Sequence, residues 1–282
     1  MSQRYFLHRR VTGFLCAAAL SLIALLALAP LWLLAGNSFK SNAAVVENPI
    51  APPREWDTGY IVNAAEQLRY LASIGWTLLI SFCAVALIVL ISAAAAWMLA
   101  RNKTKWSGIL FMAFVAAMLI PFQAIMYPLI QFFDAFGLKN MGGLILMYGG
   151  FGLSISTFLY HGFVKGVPIG VEEAAFIDGC NVFQLFFLIT MPLLKPITVT
   201  VIITNAMWIW NDYLLPFLVI GNSGNKTLVL ALYFAKIQAG QYGNPWQLIF
   251  PAVFITILPM IIVFLALQKH IVKGINAGAI KS

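Results

Sequence analysis

The chain has 282 residues, of which 62% are hydrophobic and only 9% are charged, and its formal net charge is +8. A soluble domain carries about 25% charged residues because its surface must face water. The composition therefore excludes a soluble enzyme. The basic residues lie at the ends of apolar segments, which favours a role in membrane topology over nucleic-acid binding. We expect a single membrane domain over residues 1–282.

Six stretches are long and apolar enough to cross a bilayer, since a span needs about 20 apolar residues. Several contain prolines, which a span tolerates when neighbouring helices satisfy the freed backbone groups. The first stretch continues to about Leu34, well past the core of a signal peptide, so we expect a true helix there. The predicted spans are Val11–Gly36, Trp76–Ala100, Gly108–Ile130, Gly143–Val164, Ile197–Ile220 and Leu248–Gln268.

Lysine and arginine are distributed unequally between the two sides of these spans. With the N-terminus inside, eleven basic residues fall on the inner side and six on the outer side. The positive-inside rule therefore predicts cytoplasmic termini, and the cluster Arg101–Lys105 is the strongest single anchor. This topology gives outer loops at 37–75 and 221–247, a cytoplasmic loop at 165–196 and a cytoplasmic tail at 269–282. The spacing of apolar residues predicts a helix at Ile61–Leu71. The glycine and asparagine residues of 221–247 predict a structured loop there rather than a span.

The chain shows no pattern that predicts catalysis. It contains no GxxxxGK[ST] phosphate loop, no nucleophile elbow, no HExxH and no paired carboxylates in a pocket-like context. Its cysteines, Cys16, Cys83 and Cys180, lack ligand spacing. We therefore expect no catalytic residue, no metal site and no cofactor in this chain.

The loop between spans 4 and 5 is longer than a turn requires. Pro168 suits the first turn of a helix, and Glu172 and Glu173 follow where acidic groups favour the positive end of the helix dipole. Ala175 and Gly179 are four residues apart and share a smooth face that another backbone could approach closely.

A helix resting on lipid is the alternative for this loop, but such a helix carries lysine and arginine on its polar face. The acidic residues favour docking into a cytoplasmic partner. Met191-Pro192-Leu193-Leu194-Lys195-Pro196 then predicts a helix break before span 5.

The spacing in this loop resembles a known signature. Glu173-Ala174-Ala175 is followed after three residues by Gly179, then after nine residues by Ile189, and after one more by Met191-Pro192. This pattern is similar to the EAA signature of permease subunits in bacterial ABC importers, with Met191 in place of leucine. The spacing between spans 4 and 5 makes the match specific, where a bare triplet would not.

Two other stretches resemble one branch of that family, the carbohydrate permeases related to the maltose-type system. The first is Trp210-Asn211-Asp212-Tyr213, with Pro216 after it, and the second is the C-terminal stretch from Lys273 to Lys281. The resemblance covers nearly the whole chain and is weakest in residues 41–75. It implies an all-α membrane protein with the type I ABC importer fold: six transmembrane helices and a cytoplasmic coupling helix between spans 4 and 5.

The resemblance also implies partners and roles. The chain would be one permease of a heterodimer in the bacterial inner membrane, with two ATP-binding subunits that hold ATP and Mg, and an external sugar-binding protein. The resemblance implies a sugar, in particular an oligosaccharide, as cargo. The coupling helix would seat in the ATPase and transmit its closure, the tail would reach toward the ATPase interface, and the outer loop 221–247 would contact the binding protein. The implied coupling residues are Glu172, Glu173, Ala174, Ala175, Asp178 and Gly179, and the implied binding-protein contacts are Gln241, Tyr242, Gly243 and Asn244.

The substrate pathway is predicted at Trp210, Asn211, Asp212 and Tyr213. Asp212 is the only acidic residue placed inside a span, where a charge usually faces a cavity or a partner. It either lines the sugar path or makes a structural hydrogen bond, and Trp208 and Trp210 either stack on a sugar or pack near the interface. The cargo alternatives are glycerol phosphate, phosphate or a polyamine. The alternative function is an ion-coupled secondary transporter. It would require intramembrane charges in several spans, and only Asp212 qualifies.

Overall fold

The computed structural model describes the backbone of residues 2–240 and 243–279, and the side chains of residues 13–240 and 243–265. Within these ranges the chain forms helices and no strand, which confirms the all-α prediction. The helices are α1 (Ser2–Asn37), α2 (Asn42–Glu47), α3 (Gly59–Gln67), α4 (Tyr70–Arg101), α5 (Lys105–Met118), α6 (Phe122–Ala135), α7 (Met141–Val164), α8 (Ile169–Ile177), α9 (Val182–Leu193, with a π-helical turn over Leu185–Thr190), α10 (Lys195–Asn211), α11 (Leu214–Ile220), α12 (Leu228–Ala239) and α13 (Trp246–Ala279).

Among the described residues, four helical stretches are long and apolar enough to cross a membrane unaided. They are Gly13–Asn37, Tyr70–Arg101, Met141–Val164 and Trp246–Leu265. Two further pairs of helices, α5 with α6 and α9 with α10, pass the same test together but are sharply bent. Counting each bent pair as one span gives six, the predicted number.

The third predicted span, Gly108–Ile130, is not one straight helix. α5 ends at Met118, α6 begins at Phe122, and the two helices are bent by 104°. Pro121 stands at the N-cap of α6, where it has no N–H to donate to the preceding turn. Proline also disfavours the helical conformation of the residue before it, here Ile120. The chain therefore leaves the helix at this point.

The fifth predicted span, Ile197–Ile220, is interrupted as well. α10 ends at Asn211, and Asp212 takes an extended conformation with φ −81° and ψ 127° before α11 begins at Leu214. Pro216 explains the break, because it lacks the N–H that would bond to the carbonyl of Asp212 and its ring would clash with that carbonyl.

The helix break predicted before span 5 is confirmed. α9 ends at Leu193 and α10 begins at Lys195, at a bend of 78°. Pro192 and Pro196 stand on either side of this bend.

The two segments predicted as outer loops both contain helices. The helix predicted at Ile61–Leu71 is observed as α3, and Arg69, with a φ of 46°, separates it from α4. α4 begins at Tyr70 rather than at Trp76. The excursion predicted at 221–247 contains α12. At the C-terminal end, the backbone of α13 continues through residues 269–279, which were predicted as a tail.

The chain divides into two compact units, residues 1–69 with 234–258, and residues 70–233 with 259–282. In the second unit, α4 and α7 pack closely because α7 has glycines where the helices meet. A Cβ on Gly149 would lie 2.5 Å from Cδ2 of Leu87, and one on Gly152 would lie 2.3 Å from Cδ1 of Ile88. Small residues permit this approach in a membrane, where packing drives helix association.

We predict that Gly152→Ala destabilises the protein by about 1–3 kcal/mol, the usual cost of overpacking a filled core. The added methyl would meet fully buried Ile88 and would also lie 2.7 Å from Oδ1 of Asn205. The midpoint of thermal unfolding in detergent measures the effect. Gly150→Ala is the matched control, because a Cβ there has no neighbour within 4 Å. Equal midpoints for the two variants would contradict this account of the α4–α7 contact.

Candidate functional site

The loop of residues 165–196 is built around α8, whose two ends are defined by the sequence. Pro168 caps the helix with ψ 129°, where its missing N–H costs nothing. At the other end, Gly179 has a φ of 85°, its N–H donates to the carbonyl of Phe176 at 3.0 Å, and the N–H of Cys180 donates to the carbonyl of Ala175 at 3.0 Å. This pair of bonds is a Schellman ending, which favours glycine at the left-handed position.

Glu172 joins α8 to the end of α4. Nη2 of Arg101 donates to Oε1 of Glu172 at 2.8 Å, and Nε of Arg101 lies 3.0 Å from both carboxylate oxygens. The indole Nε1 of Trp97 also donates to Oε2 at 3.2 Å. The side chains of Arg101 and Glu172 are only 19% and 7% exposed. A bidentate, charge-assisted pair shielded from water in this way is a strong contact of fixed geometry.

The same guanidinium fixes the entry to α8. Nη2 of Arg101 also donates to the carbonyl of Val167 at 3.0 Å, one residue before Pro168. The ring of Trp97 also packs against the ring of Phe186 in α9, with centroids 5.5 Å apart. Both halves of the loop are therefore anchored on the last turns of α4.

These contacts correct the predicted roles of two motif residues. Glu172 was expected to contact the ATP-binding subunit. Its carboxylate is instead bound inside this chain, by Arg101 and Trp97. Ala175 was expected on an outward-facing smooth side, but it is buried in the core of the unit. Glu173, Ala174, Asp178 and Gly179 are exposed, and their docking role stays a prediction.

The outward face of α8 also carries large apolar side chains that the sequence prediction did not include. Ile177 is 86% exposed and Phe176 is 54% exposed. They lie beside the exposed Glu173 and Asp178, so this surface combines apolar and acidic side chains. Both residues follow the EAA triplet directly, and Ile177 falls on the side of the helix opposite Glu172 and Ala175, so the sequence indicates its exposure.

The predicted pathway residues lie at the break between α10 and α11 and do not converge on one point. Trp210 is buried and does not present a face for stacking, which corrects the stacking interpretation for this residue. Asn211 is exposed and its Nδ2 donates to the carbonyl of Met207 at 2.7 Å. Tyr213 is 43% exposed and stacks on Tyr233 with centroids 5.2 Å apart.

Asp212 has structural hydrogen bonds at this break. Its Oδ2 accepts from the hydroxyl of Tyr148 at 3.0 Å, and its Oδ1 accepts from the backbone N–H of Leu214 at 2.9 Å. The carboxylate therefore satisfies a backbone donor that the break leaves free, and it joins α7 to the start of α11. The structure thus contains the hydrogen bonds expected if Asp212 has a structural role. Its role in the substrate pathway stays a prediction.

A cavity of about 630 Å³ opens beside α10, between α7 and the bend from α5 to α6. Its lining is mostly apolar, with Trp208, Thr204, Ser154 and Asn205 as the polar and amphipathic members. Asn205 is buried, and its Nδ2 donates to Oγ of Ser156 at 3.0 Å and to the carbonyl of Val201 at 2.8 Å. The sequence prediction missed Asn205, although a side-chain amide within an apolar span is itself a signal of a cavity or partner.

The predicted contacts to an external protein lie only partly within the described structure. Gln241 and Tyr242 lie outside the described residues. Gly243 has a φ of 125°, and both Gly243 and Asn244 are exposed. The segment that follows is anchored by a hydrogen bond from the N–H of Trp246 to Oδ1 of Asn42 at 2.9 Å.

The structure is that of a multi-helix membrane protein with a short, largely exposed helix, α8, between two of its candidate spans. Residues 88–277 match the family described as binding-protein-dependent transport system inner membrane component. The chain therefore belongs to this family of ABC importer permeases, which are multi-pass transport subunits of the inner membrane and not enzymes.

Two relatives and one solved structure support the assignment. The chain is 39% identical over 259 residues to a probable starch degradation products transport system permease protein of Thermoanaerobacterium thermosulfurigenes, covering 92% of this chain and 93% of the relative. It is 34% identical over 265 residues to a multiple sugar-binding transport system permease protein of Streptococcus mutans, covering 91% and 93%. The crystal structure of a bacterial ABC transporter involved in the import of the acidic polysaccharide alginate contains a similar chain. Its TM-score is 0.78 at 21% identity, over 92% of this chain and 96% of that chain, which shows the shared fold.

We predict that Glu172→Gln and Arg101→Gln each destabilise the seating of α8, by about 2–3 kcal/mol, because each leaves a partly buried charge without its partner. The double variant should cost clearly less than the sum of the two, since it removes both charges together. Thermal unfolding of the purified protein measures all three. Glu173→Gln is the matched control, because this neighbouring carboxylate is exposed. If the destabilisation of the double variant equalled the sum of the two single effects, Glu172 and Arg101 would not be coupled.

We predict that Gly179→Ala impairs transport more than Gly179→Asn. The left-handed conformation at this position disfavours alanine, whereas asparagine is the next most tolerant residue after glycine. Transport by membrane vesicles, normalised to the amount of inserted protein, measures the difference. If Asn were the worse substitution, side-chain volume rather than backbone conformation would be the reason for glycine here.

Proposed function

We propose that this chain is one permease of an ATP-driven, binding-protein-dependent importer for an oligosaccharide. The observation that carries the proposal is the exposed face of α8, where Phe176 and Ile177 lie beside Glu173 and Asp178 in a chain of this family. A surface that combines apolar and acidic side chains suits a partner subunit whose cleft is apolar and carries basic residues. The relatives named for starch products and for multiple sugars support sugar as the cargo.

The proposed assembly contains a second permease, two ATP-binding subunits and an external sugar-binding protein. ATP and Mg²⁺ belong to the ATP-binding subunits, because this chain has no phosphate loop. The distribution of lysine and arginine supports cytoplasmic termini and a cytoplasmic α8. The tail and the outer loop at 221–247 are proposed contacts to the ATPase interface and the binding protein.

Coupling follows from how α8 is held. When the ATP-binding subunits close, a helix seated in them is displaced as a rigid body. Because Glu172 holds Arg101 and Phe186 packs on Trp97, this displacement passes directly to α4. α4 packs against α7 and α10, so these helices move with it. We propose that this movement opens and closes the pathway at the break around Asp212 and at the cavity lined by Asn205 and Trp208.

The test is to purify the tagged chain with its companions, identify them by mass spectrometry and reconstitute the complex in vesicles. We predict a second permease, a subunit with a phosphate loop, and ATP-dependent uptake of a maltooligosaccharide when the binding protein is supplied. Glycerol phosphate and spermidine, the alternative cargoes, should not be taken up. Uptake of one of these instead would overturn the sugar assignment, and a chain that purifies alone would overturn the importer.

Ile177→Asp tests the docking face within the same experiment. A carboxylate there would be buried unpaired in the interface, so the affinity for the ATP-binding subunit should fall by about thirtyfold, the equivalent of about 2 kcal/mol, and less of that subunit should co-purify. Ile50→Asp is the control, because Ile50 is also strongly exposed but lies in the outer segment before α3.

A further inference from the structure

A second cleft, of about 690 Å³, lies where four helices end or begin on the α8 side of the protein. It is bounded by the end of α4, the start of α5, the end of α7 and the start of α8. Its polar and aromatic lining residues are Arg101, Asn102, Lys103, Thr104, Ser107, Phe111, His161 and Lys165. The cleft is separate from the outward face of α8 and from the cavity at Asn205.

The cleft carries positive charge that this chain does not neutralise. Arg101 is compensated by Glu172. Lys103 and Lys165 make no ion pair within the part of the chain that the structure describes. The Nζ atom of Lys165 lies 6.0 Å from the centroid of the Phe111 ring, which directs the ammonium into the cleft. Glu173 and Asp178, the other acidic residues of this loop, do not line it.

The cleft also offers hydrogen-bond donors for an anion. His161 is only 6% exposed, stacks on Phe111 with centroids 3.8 Å apart, and makes no side-chain hydrogen bond among the described residues. Because the ring lines the cleft, its N–H is available to a ligand that enters there. The first turn of α8, which has no side-chain cap, adds the backbone N–H of Ile169 at the positive end of the helix dipole.

The surroundings of the cleft identify the source of the anion. Trp106, at the start of α5, is 73% exposed, and Ile109 and Leu110 on the following turn are 57% and 53% exposed. Tryptophan concentrates at the level of lipid headgroups, and the exposed apolar turn below it faces acyl chains. An anion that reaches this cleft along α5 therefore arrives attached to lipid.

We propose that this cleft binds the phosphate headgroup of an anionic phospholipid, with Lys103, Lys165 and His161 as its ligands and the acyl chains along α5. Basic pockets between helix ends at the membrane surface recognise such headgroups. The lysines thus have a binding role in addition to any effect on topology. Because α8 forms one wall, the bound lipid supports the start of the docking helix.

The test uses the complete importer complex, stripped of lipid and titrated with phosphatidylglycerol or phosphatidylcholine while bound lipid is counted by native mass spectrometry. Phosphatidylglycerol should bind and phosphatidylcholine should not compete with it. Each lysine near an anionic headgroup is worth about a fivefold change in affinity, so Lys103→Gln with Lys165→Gln should weaken binding by about 25-fold. His161→Phe should weaken it further without changing the charge.

Lys105→Gln with Lys195→Gln is the matched control, because it removes two exposed lysines on the same predicted side of the membrane that do not line the cleft. Equal losses in the two double variants would show general attraction to the surface and would overturn the site. The proposal would also fail if the lipid bound only after the ATP-binding subunits had been removed, since the cleft would then be covered by protein. Unfolding midpoints establish that each variant is folded before its affinity is compared.

Discussion

The buried pair of Glu172 and Arg101 is the constraint on which the site depends. A carboxylate removed from water is costly unless charges and donors surround it, and here a guanidinium and an indole N–H do so. Once Glu172 faces inward, the helical period turns Ala175 inward as well and leaves Glu173 and Ile177 outside, with Phe176 at the edge between the two faces. The proposed docking surface of α8 is thus set by an interaction on its opposite side.

Two prolines mark places where the membrane helices stop, although Pro30 and Pro128 lie inside continuous helices. At Pro121 and Pro216 the missing N–H frees a carbonyl one turn earlier, and the chain bends or breaks rather than continuing. Such breaks require nearby polar groups within a membrane, where water does not satisfy the backbone. Asp212 serves this purpose at the second break, with Tyr148 holding it in place.

Much of the fold could be predicted from the sequence, because apolar length alone locates a span and lysine and arginine mark its ends. α7 follows its predicted bounds closely, and the bend before α10 lies where Pro192 and Pro196 indicated. The direction of Glu172 could not be predicted, since its partner Arg101 is 71 residues away in the chain. Asn205 was missed for a related reason. Its neighbours Gly152 and Ser156 lie on another helix, and the cavity that it lines is formed by several helices.

The two adjacent glutamates show how one short helix meets opposite requirements. A coupling element must be held firmly by its own chain and yet remain open to another subunit. Successive residues on a helix point about 100° apart, so Glu172 and Glu173 cannot share a face. The first is bound to Arg101, which ties α8 to α4, and the second is exposed on the side where we propose that the partner subunit docks.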